Sequence, residues 1–389
     1  MSVTGPKGFA AAGVACGIKA SGDMDLALVA TEDGLPVPAA GVFTANLAAA
    51  APVQVSRAHL QATRGLASAV VLSSGNANAA TGEAGTAAAG RMCALVAEGL
   101  GQQPESVLVC QTGLIGIPLP MAPVEAGIAR LLAARAVSAE AGTAAATAIM
   151  TTDTMRKEAL VVGDGFTVGA MAKGAAMLAP NMATMLAVLT TDAVAEPGVL
   201  AEALRSAVGD SFNRLSVDGC TSTNDTVLVL ASGKAAAPTA EALAGALGAA
   251  CGQLAESMAA DAEGATKVAH VIVTGAASDE EAHRAARKVA DSLLVKCSVN
   301  GADPYWGRVV SELGSAGVAF DLGRVSVAYG DVVVCRGGEA APHDTAAVAA
   351  HMAGRHVEIR CDLGLGRGSG AVLGTDLGHG YIDENRTTS

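Results

Sequence analysis

The chain has 389 residues, of which 51% are hydrophobic and 16% charged, with a formal net charge of −12. That is enough apolar material for a large buried core and about two domains, and it argues against global disorder. The negative charge repels phosphate backbones, and an aromatic content of 2% leaves little with which to stack unpaired bases, so nucleic acid is a poor partner.

Short apolar runs alternate with Ala-rich stretches. Ser68–Ser74 and Ser106–Cys110 read as buried strands, Met121–Ala134 and Thr143–Ile149 as helices. Ala159–Val162 and Thr167–Ala172 form a predicted strand pair, with Gly163-Asp164-Gly165 as the turn. Pro197–Val208 and Ala240–Ala259 are predicted helices, Val268–Thr274 a strand, and Ser278–Leu294 one helix with an acidic first turn that suits the macrodipole. Further on, Val325–Tyr329 pairs with Val332–Cys335 across Gly330-Asp331, and Val357–Leu363 is expected to pair with Gly370–Leu373 across the GLGRGSG run. That run is not a dinucleotide fingerprint: Ser369 stands where the third glycine belongs, and no helix follows. Three uncharged stretches, 34–56, 106–124 and 174–191, are read as core strands and turns because Pro, Asn or Thr interrupts each. The start, MSVTGPKGF, lacks the order of a secretion signal. These readings predict a soluble α/β protein that does not enter a membrane. The basic residues near Arg284 and Arg287 read as a solvated helix face.

The eight cysteines are scattered with no C-x-x-C spacing, which fits a reducing cytoplasm and no zinc site. Of seven histidines none falls between residues 60 and 269, and neither H-E-x-x-H nor G-x-S-x-G occurs, so a Ser-His-Asp hydrolase and a His-rich metal site are both disfavoured. The unusual region is 167–191, which carries one charge, Lys173. A buried ammonium there needs an anionic partner or ligand, whereas a lysine at a strand end can also reach solvent. Thr151 lies in a hydroxyl cluster, Thr151-Thr152-Asp153-Thr154, able to bind a carboxylate or to cap a turn. Asp218–Asp225 is a polar run that either lines a site or is a plain turn. In Gln111-Thr112-Gly113 a hydroxyl and a glycine N–H follow a buried strand, two donors of the kind an oxyanion hole uses. Nothing in propensity distinguishes Thr184 from an ordinary strand threonine.

The pieces AIMTTD (148–153), MAKGAAMLAPNMAT (171–184), LTTDA (189–193), DAEGATK (261–267) and DPYWGR (303–308) occur in this order. With NANAATG (76–82) and QTGLIG (111–116), they resemble the ornithine acetyltransferase family, the glutamate N-acetyltransferases of arginine biosynthesis, over essentially the whole chain. The resemblance implies an αββα sandwich over residues 1–276, holding the cleavage site, and a smaller C-terminal α/β domain over 277–389 whose tail returns to the active site. It implies self-cleavage between Ala183 and Thr184 into chains 1–183 and 184–389, and their assembly as a heterotetramer. Thr184 becomes the nucleophile, its freed α-amine the base for its own hydroxyl. Thr112 and Gly113 form the oxyanion hole, and Thr151, Lys173, Thr184, Glu263, Asn385 and Ser389 (or Thr388) bind substrate. The implied reaction is ping-pong transfer of acetyl from N-acetylornithine to glutamate, with acetyl-CoA left open as a donor, and with no cofactor or metal. Tyr305 departs from the family's usual Asn, the KCSVN run (296–300) differs in detail, and the ENRTTS tail lacks the usual Tyr. Two rival readings are an amidase or aminopeptidase on the same self-cleaving scaffold and a non-catalytic binding protein.

Overall fold

A computed structural model of the chain describes residues 2–177 and 185–386, which divide into two compact units. The first comprises Met1–Asn213 and Cys220–Met258, the second Arg214–Gly219 and Ala259–Ser389. In chain order the elements up to residue 260 are strands β1 (Phe9–Val14), β2 (Leu26–Thr31) and β3 (Val37–Phe43), helix α1 (Ala51–Ala62), β4 (Leu66–Ala67), β5 (Ala69–Asn76), α2 (Gly82–Leu100), β6 (Val107–Leu114), α3 (Met121–Ala134), α4 (Ala139–Ala148), β7 (Lys157–Val162), β8 (Thr167–Lys173), β9 (Leu186–Thr191), α5 (Pro197–Gly209), β10 (Leu215–Ser216), β11 (Thr226–Ala231) and α6 (Ala240–Ala260).

Two sheets form the first unit, in orders β1-β2-β5-β6 and β4-β3-β11-β9-β8-β7. Their strands are apolar on both faces because each sheet is covered twice. One side of the four-stranded sheet, with Leu28, Val71 and Val109, packs on Met92 and Val96 of α2 and on Ile128 and Leu131 of α3. The alternate residues Val29, Val70, Leu72 and Leu108 share a second core with Met171, Val188, Leu228 and Leu230 of the six-stranded sheet. Val227 and Val229 alternate with Leu228 and Leu230 and are equally buried, on the face where α5 packs. The layering is therefore helix, sheet, sheet, helix, as the resemblance implied. The turn at Gly163–Gly165 closes the β7–β8 hairpin with Val162 opposite Thr167, as expected from its glycines. Helix α4 starts where the Ser138 side chain accepts the Ala141 N–H, a cap that the predicted start at Thr143 missed.

The second unit continues with β12 (Val268–Ala276), α7 (Asp279–Asp291), α8 (Leu293–Asn300), α9 (Trp306–Gly314), β13 (Ser326–Tyr329), β14 (Val332–Arg336), β15 (Glu339–Ala340), α10 (Thr345–Ala353), β16 (His356–Asp362), β17 (Gly368–Thr375) and α11 (His379–Asn385). Its sheet runs β10-β17-β12-β16-β13-β14-β15. Ala282, Ala285, Ala286 and Val289 of α7 form an i, i+3, i+4, i+7 stripe over Val271, Val273 and Val372. Arg287 stands half-buried beside that stripe, so only Arg284 and Lys288 fit the expected solvated face.

Two expectations fail here. Ser278–Leu294 is not one helix: Ser278 caps α7 as predicted, but Ser292 leaves the helical conformation (ψ 118°) and its side chain accepts the Val295 N–H, which starts α8. Local side-chain capping competes with helix continuation at serine. Nor do the strands near 357–363 and 370–373 pair with each other. Strand β12 lies between them, parallel to β16 and antiparallel to β17. The intervening run is a crossing over the end of β12, and its glycines are needed for closeness: a Cβ at Gly366 would sit 2.3 Å from the Ala276 carbonyl oxygen and one at Gly368 2.2 Å from that of Ser278. Among the described residues no helix is long and apolar enough to cross a membrane.

Candidate active site

In the first unit a polar centre is assembled where β6, β8 and β9 meet buried loops. Thr112 sits near the end of β6 and is 2% exposed. Gly113 has φ +131°, and a Cβ there would stand 2.3 Å from the Gly75 carbonyl carbon, so both conformation and space demand glycine. At this point the β5–β6 pairing shifts register between Gly75 and Asn76. The bulge turns the strand end out of its ladder.

What holds that strand end is a buried amide network. Asn78 donates from Nδ2 to Gln111 Oε1 and to the Gly85 carbonyl, both at 2.8 Å. Asn224 donates from Nδ2 to the Gln111 carbonyl at 2.9 Å and to that of Ala77 at 2.6 Å. Asn78 and Ala80 are non-glycine residues in the left-handed region, with φ +48° and +55°. Such strain persists only where surroundings over-determine it, as these hydrogen bonds do.

Lys173 ends β8 and is 3% exposed, so it does not reach solvent. Its Nζ donates to Thr112 Oγ1 over 3.4 Å. Close by, Asp153 Oδ1 accepts from Lys157 Nζ at 2.6 Å and from the Gly174 N–H at 2.7 Å. The other oxygen of Asp153 accepts the Thr151 N–H at 3.0 Å. Both side chains of the Asp153–Lys157 pair are fully buried. Burial alone would push the Asp153 carboxyl up, but the positive charges of Lys173 and Lys157 and the hydrogen bonds outweigh it and hold the carboxyl at about 2. Lys19, whose Nζ donates to the Met150 carbonyl at 2.7 Å, adds a third ammonium. Its pKa is lowered, by burial first and by the charge of Lys173, against the carboxylates of Asp25, Asp23 and Asp153, which raise it. The centre is thus cationic around one committed carboxylate.

Asp225 closes it. This side chain is fully buried, and its Oδ1 accepts the Met185 N–H at 2.9 Å, while the Thr226 N–H donates to the Met185 carbonyl at 3.1 Å. In the antiparallel ladder Lys173 faces Leu186, so the start of β9 lies beside the ammonium. Ala183 and Thr184, like Thr388 and Ser389, lie outside the described residues.

Of the sequence-predicted residues, Thr112, Gly113, Lys173 and Thr151 are gathered in this unit, Thr151 through its N–H to Asp153. Glu263 and Asn385 meet in the second unit, where Asn385 Nδ2 donates to Glu263 Oε2 at 2.8 Å. Gly264 makes that meeting possible: a Cβ on it would lie 2.0 Å from Tyr381 N in α11. Glu263 lines a cavity of about 240 Å³ that Asp291, Lys296 and Asp376 also border. Burial pulls the Lys296 ammonium down to about 8. Tyr305, the departure from the family pattern, is exposed on the surface, with the Arg308 guanidinium 5.8 Å from its ring centre. Sequence reasoning did not single out Lys19, Asp153, Lys157, Asn224 or Asp225. The signals available were the hydroxyl cluster 151–154, which holds Asp153, and the polar run 218–225, which holds Asn224 and Asp225, and a plain turn explained either as well.

The whole layout has relatives. Residues 10–387 match the ArgJ family. The arginine biosynthesis bifunctional protein ArgJ of Mycobacterium tuberculosis is 47% identical over 394 residues, covering all of this chain and 96% of its own. That of Symbiobacterium thermophilum is 47% identical over 396 residues, covering 98% and 97%. Among solved structures, arginine biosynthesis bifunctional protein ArgJ from Bacillus halodurans is 36% identical over 51% of this chain and 96% of that one, with a TM-score of 0.49. A match spanning nearly all of this chain and of its relatives at such identity leaves one assignment: the chain belongs to the ArgJ family.

Proposed function

We propose that this ArgJ-family enzyme of arginine biosynthesis cuts its own Ala183–Thr184 bond and uses the freed threonine to carry acetyl from N-acetylornithine to glutamate. The observation that supports it most is the convergence, at the start of β9, of a buried Lys173, the Thr112 hydroxyl and a carboxyl bound to the Met185 N–H. Met185 is bonded to Thr184, so the residue proposed as nucleophile is covalently next to this centre.

In the first step the Thr184 hydroxyl attacks the Ala183 carbonyl carbon. The C–N bond breaks, an ester forms on Oγ, and water opens it to two chains, 1–183 and 184–389. The freed amine then takes the proton of its own hydroxyl as Oγ attacks the acetyl carbon of N-acetylornithine. The Thr112 hydroxyl and the Gly113 N–H receive the charge that develops on the acetyl oxygen, and the nearby ammonium of Lys173 steadies it. Ornithine departs with the proton, glutamate's amine attacks the acetyl-enzyme, and N-acetylglutamate leaves. Thr151 and Lys173 bind a substrate carboxylate, and Glu263, with Asn385 and the C-terminal hydroxyl of Ser389, binds an amino group. Acetyl-CoA as a further donor, a heterotetramer of the cleaved chains and a cytoplasmic location belong to the same reading.

The test is an intact mass spectrum of the denatured protein beside Thr184→Ala. Two pieces in the wild type and one in the variant support the reading, and an uncut wild type overturns it. Incubation with N-acetylornithine separates transfer from hydrolysis: ornithine release that ignores glutamate would place the chain with the amidases.

A further inference from the structure

The bond-making and bond-breaking steps above use no carboxyl, yet one is bound to the residue that follows the cleaved bond. Asp225 immediately precedes β11, whose parallel register sets Thr226 opposite Leu186. This fixes Asp225 alongside Met185, where Oδ1 accepts the Met185 N–H. The second oxygen is different. Asp225 Oδ2 is buried and has no hydrogen-bond partner among the described residues. An orphaned polar atom in a fully buried side chain needs an explanation, because such atoms are rare in native cores. Burial pushes this carboxyl well above the usual carboxylate range, against the pull of the Met185 N–H, Lys173 and Ser222. Such surroundings favour its protonated form, and a protonated carboxyl can donate through one oxygen while accepting through the other.

The place matters as much as the proton. The backbone nitrogen of Thr184 precedes that of Met185 by one residue, and one residue of chain spans at most about 3.6 Å. A carboxyl whose one oxygen is on the Met185 nitrogen is thus one residue along the chain from the nitrogen that must be protonated when the Ala183–Thr184 bond breaks. Amide nitrogen is a poor leaving group unless it receives a proton as it departs.

We propose that Asp225 relays the proton of self-cleavage from the Thr184 hydroxyl to the Thr184 nitrogen. The inference rests on the self-cleaving reading given above. As Oγ bonds to the Ala183 carbonyl carbon, its proton passes to a lone pair of the carboxyl, and the proton already on the carboxyl passes to the departing nitrogen. The C–N bond breaks to leave an Oγ ester and a neutral α-amine, and the carboxyl ends with the one proton it began with. Water then supplies hydroxide to the acyl carbon and a proton to Oγ, giving the Ala183 carboxyl and free Thr184.

The experiment uses the full chain made by cell-free synthesis, with cleavage followed by intact mass, in wild type, Thr184→Ala and Asp225→Asn. The amide oxygen of asparagine still accepts the Met185 N–H, but the group holds no acidic proton. The expected result is cleavage at least about 10²-fold slower in D225N, the lower end of what one positioned acid–base group contributes. Its thermal unfolding should match that of uncut Thr184→Ala. Hydroxylamine, which splits esters, should release no fragment ending at Ala183 from uncut D225N, because the ester has not formed. Cleavage of D225N at the wild-type rate overturns the relay. So does an uncut D225N that hydroxylamine splits after Ala183, since the shift would then proceed without the carboxyl. Should D225N not fold, Asp225→Glu and Asp225→Gln carry the test: cleavage in the first and none in the second supports the relay, and equal cleavage overturns it. An uncut wild type overturns the self-cleavage reading itself, whereas a cut wild type beside an equally cut D225N removes only Asp225.

Discussion

Replacing Asp153 by Asn tests whether the cationic centre is held by one carboxylate. In the native chain Asp153 takes the Lys157 ammonium at 2.6 Å, and both side chains are fully buried. It also anchors the N–H groups of Gly174 and Thr151. Asparagine keeps one acceptor but turns a donor toward a buried ammonium and removes the charge that pairs with it at 2.6 Å. Breaking a buried pair by removing one partner costs about 3–5 kcal/mol. For a unit of this size each kcal/mol moves the melting temperature by about 2–4 °C, so D153N should melt roughly 6–20 °C below the wild type. The assay is thermal unfolding at fixed protein concentration, beside Lys157→Met and the double variant. The double variant should recover part of the loss, because it leaves no unpaired charge between the two positions. The charge state predicts an acid limb as well. Asp153 is held below its ordinary value, so its contribution is complete above the unfolded pKa near 4 and is lost as pH falls toward about 2. That limb should be missing from D153N. A variant that melts within about 3 °C of the wild type, with its acid limb intact, would refute the argument that Asp153 organises the centre.

Other expectations follow from the same geometry. Thr112→Ala should slow acetyl transfer by about 10²–10³-fold with little change in melting temperature, and steady-state kinetics at saturating substrate read this directly. Gly113→Ala should destabilise the protein by more than about 1 kcal/mol, because a side chain at φ +131° meets the Gly75 backbone; denaturant unfolding measures it. Lys173→Met should raise KM more than it lowers kcat if the ammonium binds a substrate carboxylate, and unchanged KM would remove that role. Lys296 is pulled from its ordinary value near 10.5 down to about 8, so the unfolded chain binds more protons than the folded one between those values. Stability should therefore rise with pH across that window, and Lys296→Met should flatten the rise.

Local rules were enough for much of the chain. Glycines at 163 and 165 announce the β7–β8 turn, Ser278 and three acids announce α7, and the apolar runs at 68–74 and 106–110 become β5 and β6. Each of these depends on residues within one or two turns of one another. Lys173 was legible as an anomaly, one charge in an apolar segment, but not as buried or exposed. The motif order over the whole chain pointed to the ArgJ family. Composition and periodicity could not have chosen the αββα layering.

What tertiary structure decided is wherever partners are distant in sequence. Strand β12 separates β16 from β17 because a buried strand pairs on both edges, and no local pattern in GLGRGSG says that a third strand will lie between its ends. Gln111 and Asn224 are 113 residues apart, and Met185 and Asp225 are 40 apart. The first pairing follows from the packing of two sheets and the second from the parallel pairing of β9 with β11, and inside the fold polar groups find one another or stay unsatisfied. A sequence lists which residues carry charge and hydrogen-bonding capacity. Burial decides which of those charges are held in place, which are neutralised and which are left poised to act.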